Sequence, residues 1–348
     1  MNNLVIDATH GGVKIAISLA KKGKNVLVYD IYNTIKSIDL KMLAVYNIDL
    51  IQLPDLADFK GDMNVIYPIH MPLTFDEITS FNPNLNYTFQ THHEAVADIL
   101  KDWGEDILKV EVTGVKGKTS FVFMLKEILI DKNPLILSSL GSLLYENGKK
   151  FVLKRNISIT PANIKETIDL AYKIANPVCQ IAEGSVENEN LRKYNSAIFK
   201  SSLGVSGIGD VGVLLNIVED YPIAGGKSSA SKAKKQVFRC ETVVCEKEAF
   251  DTYYSDINHN RVNTFSLTDN SANLHLDYVD YSLDETEMTM IYNNVKTING
   301  NFTSGNISLK TFAPGRHHAS NVLGVVLTAI CLEIPNDKII EGIKNYRD

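Results

Sequence analysis

The run Val112–Ser120 places a glycine-containing loop between an apolar stretch and an amphipathic one. The apolar stretch Leu108–Thr113 predicts a β-strand, and the stretch 121–130 predicts a helix. Glycines in such a loop let backbone N–H groups approach phosphate oxygens, and the helix N-terminus adds positive potential. The order strand, glycine loop, helix therefore constrains the chain to an α/β fold with a phosphate site at the carboxyl end of a strand.

Two side chains of this loop supply what a nucleoside triphosphate requires. Lys118 can reach the β- and γ-phosphates, and the Thr119 hydroxyl can ligate Mg²⁺. Only two residues separate the glycines, two fewer than in the common form of this motif. We predict that ATP and Mg²⁺ bind here. The loop residues expected to contact ATP are Gly114, Val115, Lys116, Gly117, Lys118, Thr119 and Ser120.

Length, charge and cysteine usage limit the class of protein. A chain of 348 residues is long enough for two domains. Lys and Arg total 35 against 41 Asp and Glu, and the resulting net charge of -6 argues against a general nucleic-acid binder. The four cysteines show no C-x-x-C pair and no zinc spacing, which favours buried thiols in a reducing cytoplasm. With no secretory signal and no apolar stretch of spanning length, we expect a cytoplasmic protein without nucleic-acid or membrane partners.

The hydrophobic pattern predicts two α/β domains, residues 1–103 and residues 104–348. The first opens as strand, glycine turn, helix and strand, which is one βαβ half-unit. In the second, strands alternate with helices and predict a mostly parallel, doubly wound sheet. Residues 266–311 alternate apolar and polar side chains, so we expect two or three antiparallel strands on one edge. Two helices, about His318–Leu332 and Asn336–Tyr346, close the chain.

The shortened loop is the first of several segments that resemble the Mur ligase superfamily, ATP-dependent ligases that act through an acyl phosphate. The segment Thr160–Ala162 resembles the family's Thr-Thr-Pro segment near the acceptor site. The segment Glu183–Ser185 resembles its Glu-x-Ser, and the resemblance implies that the Glu183 carboxylate lies beside Mg²⁺. Substrate contacts at Thr160 and Asn216 follow from the same resemblance.

Three later segments extend the likeness. Asn216–Tyr221 resembles the family's Asn-Ile-x-x-Asp-His, with Tyr221 in place of the histidine. The Ala233–Phe238 segment resembles its Ala-Lys segment, whose lysine is carbamylated. A lysine carbamate can ligate Mg²⁺ whereas an ammonium cannot. We assign this role to Lys234, with Lys232 and Lys235 as competitors.

The segment Pro314–Asn321 resembles the Gly-x-His-Asn-x-x-Asn signature of the adenine site, with His318 in place of the first asparagine. The ATP contacts implied there are Arg316, His318 and Asn321. The resemblance also implies the domain roles, namely a Rossmann-like substrate-binding domain at 1–103 and a central P-loop ATPase domain at 104–348. The family's third domain would begin where the sequence stops, so we expect it to be absent and turnover to be poor.

Within the family, the first domain is similar to the archaeal branch that completes coenzyme F-430, the nickel tetrapyrrole of methane formation. The segments that carry this likeness are Asp7–Gly12, Asp30–Tyr32, Pro68–Pro72 and Thr91–Val96. It implies that ATP phosphorylates a propionate of a nickel seco-precursor and that a ring carbon then attacks the acyl phosphate to close a carbocycle. The residues expected to contact this substrate or approach its nickel are His10, His70, His92 and His93.

Three other functions fit parts of the sequence. The first is an amide-forming ligase that adds an amino acid to a cell-wall precursor such as pseudomurein, with the same ATP chemistry. The second is a nicotinamide-binding protein, suggested by Asp30 at the end of the second strand, although the first turn lacks G-x-G-x-x-G. The third is a non-catalytic nucleotide-binding scaffold, against which the catalytic candidates Lys118, Glu183 and Lys234 argue.

Overall fold

The computed structural model describes residues 1–175, 194–282, 284–312 and 315–347. Within it the chain divides into two compact units, neither of which is one continuous stretch of sequence. The first unit consists of Met1–Trp103, Thr160–Lys165 and Tyr221–Ala233. The second consists of Gly104–Ile159, Glu166–Asp220 and Lys234–Asp348.

The elements are numbered in chain order among the described residues. The strands are β1 (Asn2–Ile6), β2 (Asn25–Tyr29), β3 (Asp49–Leu50), β4 (Asp62–Tyr67), β5 (Asn86–Thr91), β6 (Leu108–Thr113), β7 (Leu135–Ser138), β8 (Gly141–Glu146), β9 (Lys149–Lys154), β10 (Ser196–Lys200), β11 (Val211–Leu214), β12 (Pro222–Ile223), β13 (Ser228–Ser229), β14 (Thr242–Glu246), β15 (Val262–Ser266), β16 (Leu274–Tyr281), β17 (Thr286–Lys296) and β18 (Phe302–Thr311). The helices are α1 (Val13–Lys21), α2 (Ser37–Val45), α3 (Phe75–Thr79), α4 (His92–Leu100), α5 (Lys118–Ile128), α6 (Pro161–Ala175), α7 (Ala230–Lys234), α8 (Lys247–Tyr253), α9 (Arg316–Cys331) and α10 (Asn336–Asn345).

The first unit is built on a parallel five-stranded sheet of order β3-β2-β1-β4-β5. Leu4 of β1 pairs with Leu27 on one side and Val65 on the other, and all three are buried. The strand order reverses direction between β1 and β4, which is the switch point where open α/β sheets bind ligands. The loops that follow β1 and β4 are therefore the place to look for a ligand site in this unit.

Two short segments from later in the chain complete the first unit. A Cβ built on Gly11 would lie 2.7 Å from the Cβ of Ala162, so the segment 160–165 packs closely on the turn after β1. The Lys14 ammonium donates a hydrogen bond to the side chain of Asn163 in the same segment. In the segment 221–233, Lys227 forms an ion pair with Glu77 at 3.3 Å.

The second unit is built on an eleven-stranded mixed sheet of order β18-β17-β16-β15-β14-β11-β6-β10-β7-β8-β9. Its seven central strands, β16 through β7 in that order, are parallel. The antiparallel edge formed by β16, β17 and β18 confirms the prediction for residues 266–311. The predicted α/β fold class is confirmed as well.

A second antiparallel hairpin, β8 and β9, lies at the opposite edge and was missing from the sequence prediction. Its turn is Asn147-Gly148, with φ of +50° and +75°. An Asn-Gly pair with two positive φ values is the usual two-residue hairpin turn, so the signal was present in the sequence.

The core of the second unit is formed by the sheet and the helices α5, α9 and α10. Helix α9 is buried along most of its length, and its Val322 and Val326 have no exposed surface. Phe121 of α5 is also fully buried. The apolar residues of α9 account for the hydrophobic run near the end of the sequence. None of the helices in the described ranges combines the length and apolar character needed to cross a bilayer. The cysteines Cys240, Cys245 and Cys331 are buried free thiols, whereas Cys179 lies outside the described residues.

A buried carboxylate organises the loop between β10 and β11. Glu111, in the centre of β6, has no exposed surface. Its Oε1 accepts hydrogen bonds from the backbone N–H and hydroxyl of Ser206 at 2.8 and 2.7 Å. Its Oε2 accepts from the N–H groups of Gly207 and Gly209 at 2.7 and 3.2 Å. Four donors thus satisfy a charge that would otherwise be costly to bury.

The substitution Glu111→Gln should destabilise the second unit by about 2–3 kcal/mol, because an amide NH₂ would face at least one backbone N–H and leave it without an acceptor. Urea denaturation followed by circular dichroism measures the change. The matched control is Glu287→Gln on β17, because the Glu287 carboxylate is half exposed. Equal stabilities of the two variants would contradict this account of Glu111.

Candidate functional site

The phosphate loop predicted from the sequence joins β6 to α5. Its glycines adopt φ of +149° at Gly114 and +82° at Gly117, a region that favours glycine. A Cβ built on Gly117 would also come within 2.1 Å of the Asn321 side-chain oxygen. Helix α5 begins at Lys118, and the N–H groups of its first turn have no intrahelical acceptor because of their position. The backbone N–H groups at the start of α5 are therefore available as donors to a ligand at the loop.

Asn216, two residues beyond β11, holds this loop in place. Its side-chain oxygen accepts from the N–H groups of Val115 and Lys116 at 3.2 and 3.0 Å, and its amide NH₂ donates to the Lys116 carbonyl at 3.2 Å. Asn216 is buried. The backbone donors of Val115 and Lys116 are thus engaged by Asn216, and those of Lys118, Thr119 and Ser120 face outward from the helix start. A substrate contact at Asn216 stays a prediction.

Three lysines surround the loop. Lys118 donates to the carbonyls of Gly114 and Val115 at 2.5 and 3.2 Å. Lys200, the last residue of β10, donates to the Thr119 hydroxyl at 2.7 Å. Lys234 donates to the Ser202 carbonyl at 2.7 Å. In the part of the chain that the structure describes, none of the three ammonium groups forms an ion pair.

Burial weakens the proton affinity of all three lysines, and the charge of a neighbouring lysine adds to this at Lys118 and Lys234. Burial, and secondarily the charge of Lys200, lower the pKa of Lys118 to about 8. Burial, and then the charge of Lys118, lower the pKa of Lys234 to about 7, against an opposing effect of Asp220. Burial also lowers the pKa of Lys200. Three lysine side chains that form no ion pair among the described residues favour binding of an anion at the loop.

Lys200 was missed by the sequence analysis, although it follows the predicted strand 197–199. The signal was its position, since β10 pairs with β6 and the carboxyl ends of parallel neighbours lie at one edge. The three lysines considered for carbamylation differ in burial, and the assignment to Lys234 stays a prediction. Lys234 has no exposed surface, whereas Lys232 and Lys235 are exposed.

The start of α9 lies against the loop through Asn321. This side chain is buried beside Gly117, and its NH₂ group is buried without a hydrogen-bond partner among the described residues. His318 is partly buried, and its Nδ1 has no partner there either. Arg316 is exposed at the first position of the helix. The structure thus brings Asn321 to the loop, and the adenine contacts of these three residues stay predictions. Glu183 lies outside the described residues.

The first unit gathers the predicted histidines at the carboxyl ends of its strands. His10 lies in the turn after β1, His70 follows β4, and His92 and His93 begin α4 directly after β5. The rings of His10 and His70 meet edge to face, with centroids 5.0 Å apart. The Thr160 hydroxyl also lies in this unit, next to Gly11 of the turn after β1.

These histidines differ in accessibility. The side chains of His10 and His70 are 48% and 30% exposed, so a ligand can reach both. His92 and His93 are buried, and the Nε2–H of His92 donates to the Ile6 carbonyl at 2.9 Å. Burial lowers the pKa of His92 to about 4, so this ring is neutral at physiological pH. His10 and His70 are therefore the better-placed pair for contact with a ligand.

Asp7, which the sequence analysis did not select, lies beneath the two accessible histidines. Its Oδ1 accepts from the N–H groups of Thr9 and His10 at 2.9 and 3.1 Å. Its Oδ2 lies 2.7 Å from His10 Nδ1 and 3.7 Å from His70 Nε2. The signal was its position as the first residue after β1.

Comparison with solved structures identifies the fold. A UDP-N-acetylmuramoyl-L-alanyl-D-glutamate–2,6-diaminopimelate ligase superposes with a TM-score of 0.53 at 13% identity, over 83% of this chain and 61% of that one. The chain has the Mur ligase fold. A second structure is the UDP-N-acetylmuramoylalanyl-D-glutamyl-2,6-diaminopimelate–D-alanyl-D-alanyl ligase of Acinetobacter baumannii. It gives a TM-score of 0.50 at 12% identity, over 99% of this chain and 63% of that one.

Curated relatives extend this likeness to the sequence. A coenzyme F(430) synthetase of Methanosarcina acetivorans is 33% identical over 238 residues, which are 67% of this chain and 46% of the relative. One of Methanocaldococcus jannaschii is 29% identical over 275 residues, 76% of this chain and 56% of the relative. The resemblance to the Mur ligases and to their F-430 branch is confirmed. The chain spans about half the length of these relatives, and no family model matches it.

We expect the Lys234 amine to titrate near pH 7 and the Lys118 amine near pH 8. Burial and like charge disfavour the ammonium form of both. Nitrogen NMR of the lysine Nζ atoms measures both. The exposed Lys310, whose pKa is raised by Glu285, is the control.

Between these pKa values and pH 10.5, the unfolded chain binds more protons than the folded one, because its lysines are still protonated. Lys234 should therefore make stability rise from about pH 7, and Lys118 from about pH 8, toward pH 10.5. Midpoints near pH 10.5 for both lysines would contradict the burial that the structure shows.

Proposed function

We propose that the chain is the substrate- and ATP-binding part of an ATP-dependent ligase that activates a carboxylate as an acyl phosphate. The observation that carries the proposal is the group of three lysines around the phosphate loop. Among the described residues Lys118, Lys200 and Lys234 form no ion pair, so positive charge collects at the loop. The negative charge of ATP would supply the missing counterion.

Phosphoryl transfer from ATP to a carboxylate requires mainly positioning of the reactants and electrostatic stabilisation. A substrate carboxylate oxygen attacks the γ-phosphorus, the bond to the β-phosphate oxygen breaks, and ADP leaves. Lys118 and Lys200 would neutralise the charge on the transferring oxygens. The start of α9, with Arg316, His318 and Asn321, would hold the adenine.

Magnesium fits the described residues under one condition. The groups near the loop are the Thr119 hydroxyl and three amines, and an ammonium cannot ligate a cation. A carbamate on Lys234 would convert one amine into an oxygen donor, with Thr119 and the Glu183 carboxylate as further ligands. Bound there, Mg²⁺ would offset phosphate charge. The low pKa of Lys234 supports the modification because only the neutral amine reacts with CO₂.

The substrate we propose is the nickel seco-precursor of coenzyme F-430. The similarity to curated coenzyme F(430) synthetases supports this. A ring carbon of the substrate would attack the acyl phosphate, form the carbon–carbon bond of the carbocycle and release phosphate. His10 and His70 would contact the tetrapyrrole or approach its nickel, with His92, His93 and Thr160 beside them.

Mixing the protein with MgATP and the nickel seco-precursor tests this function through absorbance, product mass and ADP release. We expect precursor binding to change the spectrum, and Lys118→Ala to weaken ATP binding about tenfold or more, since a charged hydrogen bond contributes about 1.5–3 kcal/mol. Lys338→Ala, on the exposed face of α10, should bind ATP normally. No binding of the precursor, with turnover of an amino acid and a cell-wall precursor instead, would establish the amide ligase.

Carbamylation of Lys234 can be tested separately. Protein in ¹³C-bicarbonate at pH 8 should show a carbamate resonance that disappears in Lys234→Arg, because the guanidinium does not react with CO₂. The matched control is Lys235→Arg, one position along the chain and exposed. A resonance that persists in Lys234→Arg, or is lost in the control, would transfer the role to another lysine.

A further inference from the structure

The carboxylate of Asp7 is buried beneath His10 and His70 without a Lys or Arg partner among the described residues. Its side chain has no exposed surface, and its Oδ2 lies 2.7 Å from His10 Nδ1 and 3.7 Å from His70 Nε2. A carboxylate removed from water requires a compensating cation or several hydrogen bonds. The two bonds from backbone N–H groups reach Oδ1 and fix its orientation, so Oδ2 is the oxygen that faces the histidines.

We propose that Asp7, His10 and His70 form a binding site for a divalent transition-metal ion. Their ligand atoms all lie within 4.8 Å of one another. Two imidazoles and one carboxylate are a ligand set that Zn²⁺, Co²⁺ and Fe²⁺ accept. The ion would replace the proton that Oδ2 shares with His10 in the metal-free protein.

The distances fit an ion after small movements. Bonds of about 2.0–2.2 Å in a tetrahedral site place ligand atoms about 3.3–3.6 Å apart. The Asp7 Oδ2 to His10 Nδ1 distance of 2.7 Å would widen, and the 3.7 Å distance to His70 Nε2 would shorten. Both shifts are within the reach of a side-chain rotation.

The backbone and the fold support a site at this position. Asp7 has φ of +74° and ψ of +94°, a conformation that costs a non-glycine residue roughly 1–3 kcal/mol. Gly12 makes the tight turn possible, since a Cβ there would lie 2.0 Å from the Asp7 carbonyl oxygen. Asp7 and His10 follow β1, and His70 follows β4, on either side of the switch point of the sheet.

The exposure of the histidines indicates an open site. Asp7 is buried, but His10 and His70 are partly exposed on the outer side. Three protein ligands leave a tetrahedral ion with one open position, as in catalytic zinc sites. That position would take an anionic or neutral oxygen group of a ligand. The ion would be distinct from a tetrapyrrole nickel, whose four equatorial positions are already filled by the ring.

Titration of the chelator-treated chain with Co²⁺ alone tests the proposal. We expect one equivalent to bind and to produce visible d–d absorption of a four- or five-coordinate ion. His10→Ala and His70→Ala should each weaken binding at least tenfold, since even indirect ligand partners contribute 10–100-fold. The control His317→Ala, an exposed histidine of the second unit, should leave binding unchanged.

The outcomes separate this site from the proposed function, because neither ATP nor a tetrapyrrole is present. Absence of the absorption band, or a band unaffected by both histidine substitutions in folded variants, overturns the metal site. If Co²⁺ fails to bind while the nickel seco-precursor binds and His10→Ala abolishes that binding, the histidines contact the substrate and do not hold a free ion. Asp7→Asn is a further variant, with circular dichroism to verify its folding.

Discussion

The removal of three lysine amines from water around one loop, with repulsion between neighbours, is the constraint on which the second unit depends. Lys118, Lys200 and Lys234 come from different elements and meet around one loop with carbonyl and hydroxyl acceptors only. Burial lowers the pKa of each amine, and the charge of a neighbouring lysine lowers it further at Lys118 and Lys234. An anion relieves the repulsion, and so does conversion of one lysine to a carbamate. The same cluster thus connects nucleotide binding to the proposed modification of Lys234.

The rest of the second unit keeps these charges together. Strands β6 and β10 are neighbours in the parallel sheet, so their carboxyl ends deliver Lys118 and Lys200 to the same edge. Asn216 follows β11, the neighbour of β6 on its other side, and fixes the loop backbone. Glu111 holds the loop that leads from β10 to β11. The site is therefore a product of strand order, and its geometry is set by backbone contacts.

The sequence was sufficient for features that depend on local pattern. The strand 108–113, the loop and the helix after it could be predicted because glycine spacing and apolar periodicity are local signals. The sequence marked Lys200 and Asp7 only as residues at strand ends, because their contacts with Thr119 and His70 come from parts of the chain that are distant in sequence. Their neighbours Lys118 and His70 lie 82 and 63 positions away. The choice of Lys234 over Lys232 and Lys235 came from family likeness, and burial supplies its physical reason.

The first unit is assembled from three separated stretches of the chain, the last ending at Ala233. During synthesis on the ribosome, its sheet can form once the first hundred residues have emerged, but the turn after β1 gains its packing partner Ala162 only later. Contacts between such distant residues raise contact order and slow the final step of folding. The strained turn that carries Asp7 and His10 would reach its native conformation only after the segment 160–165 has emerged, and the segment 221–233 joins the unit later still.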